Sequence, residues 1–224
     1  MAETKVLAID GPSGAGKGTV SRAVAKELQW SYVDTGAMYR AVAWRALDQT
    51  KSLADEEFIA TLARVTVFDL DFTRVVIDGE DITSQIRTPE IDVAASTVAR
   101  MPKVRSVLVA RQREFAAAGP VVMEGRDIGT VVFPEAILKL YLDATPEERA
   151  KRRASDPVHT LSQATEIGVV ASALENRDRL DRTRQTSPLI RAGDAILIET
   201  TGVPVSDVVA RVLSMVRNRL NRET

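Results

Sequence analysis

No cysteine occurs anywhere in the 224 residues, which excludes disulfides, thiolate metal sites and cysteine nucleophiles and suits a cytosolic protein. Histidine is nearly absent as well. The single His159 stands in a polar stretch and reads as a solvated loop residue, so neither a histidine metal cluster nor a Ser-His-Asp triad has support. Long apolar runs are missing, so no membrane-spanning helix is expected, and the first residues lack the regions of a signal peptide. An excess of one charge is missing too: 30 basic and 31 acidic residues leave a formal net charge of −1. That balance argues against a dedicated nucleic-acid or anionic-membrane surface. At 45% hydrophobic residues, the chain is long enough to bury a substantial core as one domain, or as one domain with small appendages.

The most informative stretch is Gly11, Pro12, Ser13, Gly14, Ala15, Gly16, Lys17, Gly18 and Thr19. It follows an apolar run at Val6, Leu7, Ala8 and Ile9 and opens a helical pattern. Gly-x-x-x-x-Gly-Lys in that context is a phosphate-wrapping loop: backbone N–H groups converge on phosphate oxygens, the lysine adds a mobile charge, and the helix adds its positive end. The position after the lysine, usually a magnesium-ligating hydroxyl, is Gly18, with Thr19 one residue later.

Strand-like and helix-like segments alternate along the chain, which predicts an α/β fold with a parallel sheet covered on both faces. Strands are predicted at 6–9, 32–34, 121–123, 138–142 and 195–198, and a second helix at 37–48. Thr145, Pro146 and Glu148 read as an N-cap, a proline at the first helical position and the carboxylate of a capping box. A last helix repeats Val205, Val208, Val209, Val212, Val216 and Leu220 as core packing. Two segments break the alternation. Residues 65–82, with an Asp78-Gly79 turn, read as an inserted antiparallel hairpin followed by a helix after Pro89. Residues 152–177 are polar and basic and suit a lid.

Several arginines converge on the expected site. Arg126 and Asp127 follow the strand at 121–123, and in an open parallel sheet ligands sit at the strands' carboxyl ends. Arg40 lies just beyond Thr35-Gly36, near the same crevice. Arg177, Asp181 and Arg184 fall at i, i+4 and i+7, which would place two guanidiniums around a carboxylate on one helix face. Bidentate guanidiniums suit a site that must neutralise two phosphate-bearing substrates at once.

Taken together, these blocks resemble the bacterial cytidylate kinases over essentially the whole chain. The resemblance rests on residues 9–19, Asp34 to Arg40, Gly79 to Thr83, Ile86 to Thr88, Glu124 to Thr130 and Arg177 to Arg182. It implies a P-loop nucleoside-monophosphate-kinase fold, with a five-stranded parallel sheet flanked by helices. The core would span 1–64, 101–150 and 178–224, the acceptor-binding insert 65–100 and the short lid 151–177. It further implies ATP and CMP or dCMP as substrates, with Mg2+ as cofactor and the cytoplasm as location. Position by position, Arg40, Arg126 and Arg184 match residues on the acceptor phosphate. Ser96, Arg105 and Asp127 match residues reading cytosine, and Arg177 and Asp181 match residues holding the ribose. On their own, Ser96 and Arg105 read as helix-surface residues. Thr35 stands where serine is expected in some relatives, and Glu124 where aspartate is common.

A phosphate monoester loses its second proton near pH 6 and is already a nucleophile at neutral pH, so no general base is needed. Catalysis then reduces to positioning and charge neutralisation by the loop, Lys17, Arg126 and Arg184. Magnesium is expected near Thr19 and the acidic groups Asp10, Glu124 or Asp127, directly or through water. Arg149, Arg152 and Arg153, entering the lid, are expected to fold over the ATP triphosphate and exclude water. A GTP-dependent switch is disfavoured because no guanine-reading Asn-Lys-x-Asp element is present. A non-catalytic binder would not need the second arginine set, and a kinase for AMP or UMP remains the competing acceptor class. A monomer is expected from the balanced charge.

Overall fold

The computed structural model describes residues 5–50, 52–156 and 167–222. His159 and the middle of the expected lid lie outside them. The central sheet holds β1 (Val6–Asp10), β2 (Ser31–Asp34), β6 (Val121–Gly125), β7 (Leu138–Asp143) and β8 (Ile196–Glu199), all parallel, in the order β2-β6-β1-β7-β8. The five predicted strands are therefore the five strands of this sheet. Within β1 the alternation of the pleat sorts side chains between two cores. Val6 and Ala8 face a layer built with α2 (Thr35–Thr50), α3 (Glu56–Val65), α4 (Pro89–Val98) and α5 (Pro102–Ala117). Leu7 and Ile9 face α1 (Lys17–Leu28) and α8 (Val205–Leu220). Covered on both faces, β1 and β6 are buried throughout, as expected of parallel strands with helices on either side.

Expected as a hairpin, residues 65–82 instead form a three-stranded antiparallel sheet of β3 (Phe68–Leu70), β4 (Val75–Ile77) and β5 (Glu80–Asp81). Val65 belongs to the end of α3 and is exposed, as is Val67. The Val65-Val67 alternation was thus a helix end running into a loop. Asp78-Gly79 turns β4 into β5, with Asp78 at φ 50° and Gly79 at φ 85°. The turn from β3 to β4 is made by Asp71, whose carboxylate accepts from the Thr73 and Arg74 amides at 2.7 Å each. A small core of Val75, Ile77, Ile82, Ile86 and Ile91 seats this sheet against Ala37 and Ala41 of α2.

Two helices flank the undescribed residues 157–166: α6 (Pro146–Ala154) and α7 (Ile167–Thr183). The latter runs unbroken across residue 177. Only half of the expected capping box of α6 is made. Thr145 Oγ1 accepts from the Glu148 amide at 3.3 Å, while the Glu148 carboxylate turns to Arg152 and the Thr145 amide donates to Thr201 Oγ1. Val208, Val212 and Val216 form the buried stripe of α8, but Val205 in its first turn is exposed. Among the described residues, no helix is long and apolar enough to cross a membrane.

Candidate active site

The sheet register sets four groups side by side at its carboxyl edge, because Asp10 pairs with Gly125 and Asp34 with Glu124. Above that edge lies a cleft of about 700 Å³. Residues 13–19 line it, together with Thr35, Arg40, Ser96, Arg105, Glu124, Arg126, Asp127, Arg152, Arg153, Arg177, Asp181 and Arg184. Nearly every residue singled out from sequence is thereby brought to one cavity.

The loop after β1 is held from below. Gly11 passes so close to β7 that a Cβ there would sit 2.0 Å from the Leu142 carbonyl oxygen. Gly16, at φ 86°, is the left-handed residue from which α1 starts, a conformation that disfavours any side chain. Lys17 Nζ donates to the Pro12 carbonyl at 2.7 Å. Burial lowers the pKa of the Lys17 ammonium to about 7, with the Arg126 charge acting in the same direction against Glu124 and Asp178. Beneath the loop, Arg149 is ion-paired with Asp178 and donates to the Ala144 and Ser13 carbonyls at 3.1 and 3.2 Å. The Asp178 carboxylate also accepts from the Ser13 amide at 3.3 Å. Arg149, expected over the triphosphate, is therefore a buried prop of the loop. The reason is position: Arg149 lies one turn into α6 on the helix's buried face, where Asp178 is its ion-pair partner among the described residues.

Arg152 and Arg153, adjacent on α6, point to different ends of the cleft. Arg152 donates to Thr200 Oγ1 at 2.9 Å and to the Thr200 carbonyl at 2.6 Å, and Thr200 Oγ1 in turn reaches the Ala15 carbonyl at 3.2 Å. Arg153 is ion-paired with Asp92 on α4.

On the opposite wall, cations and carboxylates alternate. Arg40 Nη2 lies 2.8 Å from Asp34 Oδ2 and Arg126 Nε lies 2.9 Å from Asp181 Oδ2. Arg184 sits between Asp127 at 3.7 Å and Asp181 at 3.9 Å. Arg105 pairs with Asp127 and lies over the Tyr39 ring, 5.5 Å from its centroid. Burial works to raise the Asp34 and Asp181 carboxyls, but the guanidiniums of Arg40 and of Arg126, Arg177 and Arg184 outweigh it and hold both below the ordinary value. Burial likewise opposes the charge on Arg126, and Asp181 more than offsets it. At Arg184, burial and the Arg105 charge win and the guanidinium is lowered. Of the five guanidinium nitrogens buried without a hydrogen-bond acceptor among the described residues, four belong to the cleft: Arg40 Nε, Arg105 Nε, Arg177 Nε and Arg184 Nη2. Such orphan donors are rare enough to need a reason.

Two sequence expectations change. Arg105, expected on a helix surface by itself, is 2% exposed. Arg184 lies one residue past α7, and Arg177 pairs with Asp92 at 3.0 Å rather than with Asp181. The face inferred from i, i+4 and i+7 spacing is thus divided between two carboxylates.

Among the acidic groups expected near a metal, Asp10 accepts from the Ile128 and Gly129 amides at 2.8 Å each and does not line the cleft. Burial raises its carboxyl to about 6 despite those two amides. Asp127 is occupied by arginines. Glu124 lies differently: its carboxylate accepts from Tyr32, burial and the nearby Asp34 raise its pKa, and its Oε1 is 3.1 Å from where a Gly18 Cβ would stand. A side chain at the position after the lysine would crowd this carboxylate and the Arg22 guanidinium, whose Nη1 is 3.3 Å from that Cβ.

Asp34, Tyr39 and Arg87 also line the cleft and were not assigned a site role from sequence. Asp34 and Tyr39 fall within the block Asp34 to Arg40, so their neighbourhood was visible although their contacts were not. Asp178 likewise falls within the block Arg177 to Arg182, without a sign of its contact with Arg149, and Asp92 carried no sequence signal.

The cytidylate kinase family model matches residues 7–218. A cytidylate kinase from Desulfitobacterium hafniense is 45% identical over 223 residues, covering 98% of this chain and 96% of that protein. One from Pelotomaculum thermopropionicum is 46% identical over 215 residues, covering 94% and 95%. A crystal structure of an uncharacterized protein from Eubacterium ventriosum shares the fold at a TM-score of 0.52 and 10% identity, over 95% of this chain and 98% of that one. With the loop, the arginine wall and the family match all falling on the same residues, the chain belongs to the cytidylate kinase family.

Proposed function

We propose that this chain transfers the γ-phosphoryl group of ATP to CMP or dCMP, giving ADP and CDP or dCDP. The observation that carries the reading is the meeting of Lys17, Arg40, Arg126 and Arg184 in one cleft with the buried Arg105-Asp127 pair. Residues 11–19 hold the donor phosphates, with Lys17 on the β and γ groups and Arg152 beside the loop. Arg40, Arg126 and Arg184 take the acceptor phosphate, whose oxygen attacks the γ phosphorus in line as ADP leaves. Because their carboxylate partners already fix these guanidiniums, little reorganisation accompanies the step. The unpaired nitrogens on Arg40, Arg105, Arg177 and Arg184 are donors for which acceptor nucleotide oxygens are fitting partners.

Ser96, Arg105 and Asp127 read the base, where a carboxylate favours the amino donor of cytosine over the carbonyl of uracil. Thr35, Arg177 and Asp181 border the acceptor sugar and phosphate. Mg2+ bound with ATP would supply positive charge at the donor phosphates. Thr19 and Glu124 are the side chains that would hold it, and the Glu124 carboxylate lies beside Gly18. Residues 65–100 serve as the acceptor segment and 151–177 as the lid. The balanced charge supports a monomer with neither nucleic acid nor membrane as partner, and the absence of cysteine suits the cytoplasm.

Coupled measurement of ADP release against CMP, dCMP, UMP and AMP tests the assignment. CMP and dCMP should exceed the others in kcat/KM by about a hundredfold or more, since a wrong base leaves buried polar groups unpaired. A preference for AMP or UMP overturns it.

A further inference from the structure

Asp92 lies on α4, inside the segment assigned to the acceptor, yet its carboxylate faces the two helices that flank the lid. Its Oδ2 accepts from Arg153 on α6 and its Oδ1 accepts from Arg177 Nη1 on α7 at 3.0 Å. Its carbonyl accepts from Ser96 Oγ, one turn further along α4, at 3.0 Å. One residue thus touches a lid-entry arginine, the arginine assigned to the ribose and the serine assigned to the base. Its charge also reaches Arg40, helping to hold that guanidinium charged against burial.

The setting gives these contacts their significance. Beneath the clasp is a second cavity of about 410 Å³, between α4 and the lid helices, floored by Val93, Val169, Val170 and Leu174. Val93 and Val169 are largely exposed. α4 and α7 therefore meet only loosely there, and a void leaves room for relative movement that a filled core would resist. Among the described residues, the hydrogen bonds that join α4 to α6 and α7 end on the Asp92 carboxylate. A bidentate, charge-assisted tie across a gap transmits displacement: if α4 shifts on acceptor binding, Arg153 and Arg177 must follow or lose their counter-charge.

We propose that Asp92 is a positioning residue that couples the acceptor site to the lid, holding Arg177 at the acceptor and Arg153 at the lid entrance so that occupancy of one substrate site favours the other. The proposal rests on the residue assignments given under Proposed function. Asp92 does not touch the reacting atoms. Its contribution is to make the two bindings interdependent, a coupling free energy that acts equally in both directions.

The test is titration calorimetry of Mg-ADP with and without saturating CMP, and of CMP with and without Mg-ADP. The wild-type chain alone checks the underlying reading: CMP binding with UMP and AMP much weaker supports it, whatever the variants do. In D92N, which keeps the shape and removes the charge, the affinity ratio between the presence and absence of the other ligand should fall to near one, and hydrolysis of ATP without acceptor should rise relative to transfer. D92E, which keeps the charge on a longer arm, should restore a good part of the ratio. A loss of about tenfold in coupling corresponds to one charge-assisted hydrogen bond. If D92N melts early, the comparison of D92E with R153Q, which cuts the same tie from the lid side, carries the same expectation. Unchanged coupling in D92N and R153Q, or lower thermal stability with coupling intact, would overturn the proposal and leave Asp92 a structural ion pair.

Discussion

At single residues, burial and charge are set against one another, and Lys17 is the clearest case. With its ammonium lowered to about 7 by burial, Lys17 is mostly neutral at pH 8. A polyphosphate beside it restores the charged form, so ATP binding at pH 8 should take up roughly one proton, and much less at pH 6, where the lysine is already protonated. Calorimetry in two buffers of different ionisation enthalpy measures this. Lys17→Met should abolish the uptake, and uptake that persists in the variant would assign the proton elsewhere. Asp127→Asn replaces an acceptor-only carboxylate with an amide that also donates. The preference for CMP over UMP should then fall by about tenfold to a hundredfold, read as a ratio of kcat/KM values. Beneath the loop, Asp178→Ala leaves the buried Arg149 without its counter-charge. Removing one partner of a buried pair costs about 3–5 kcal/mol, so denaturant unfolding should show a loss of that order. A loss under about 1 kcal/mol, the range of an exposed pair, would contradict the burial argument.

At the scale of elements, local signals succeeded where local physics decides. The cap at Thr145 and the proline after it start α6 where the sequence placed them, and Thr145→Ala should cost about 1 kcal/mol, measured by thermal unfolding. The reciprocal half of the capping box was not legible, because Glu148 has a choice between the Thr145 amide and Arg152, and nothing in the spacing of four residues says which wins. Residues 65–82 fail for a related reason. Val65 and Val67 alternate like a strand, yet α3 packs its own apolar face through Ile59, Leu62 and Ala63, so helix packing overrides the local pattern. β1 and β6 were legible because burial on both faces demands nearly continuous apolar runs, whereas β8, buried only at Ile198, was marked by its apolar residues alone.

At the scale of the whole molecule, the phosphate loop and the blocks at 34–40 and 124–130 announced a two-substrate site. The pairings that hold it together were not readable: Ser13 meets Asp178 across 165 positions and Arg153 meets Asp92 across 61. Such contacts depend on the crossovers of the sheet, which set Asp34 beside Glu124 and Asp10 beside Gly125. The central claim is that one cleft brings two anionic nucleotides end to end, between the loop with Lys17 and the wall of Arg40, Arg126 and Arg184. Its most direct test is equilibrium binding of a compound in which adenosine and cytidine are joined through a chain of five phosphates. One such molecule per chain should displace both ATP and CMP, binding far more tightly than either alone and losing that advantage in Arg126→Ala and Arg184→Ala. Displacement of only one nucleotide, or affinity no better than that of ATP, would contradict the single shared cleft.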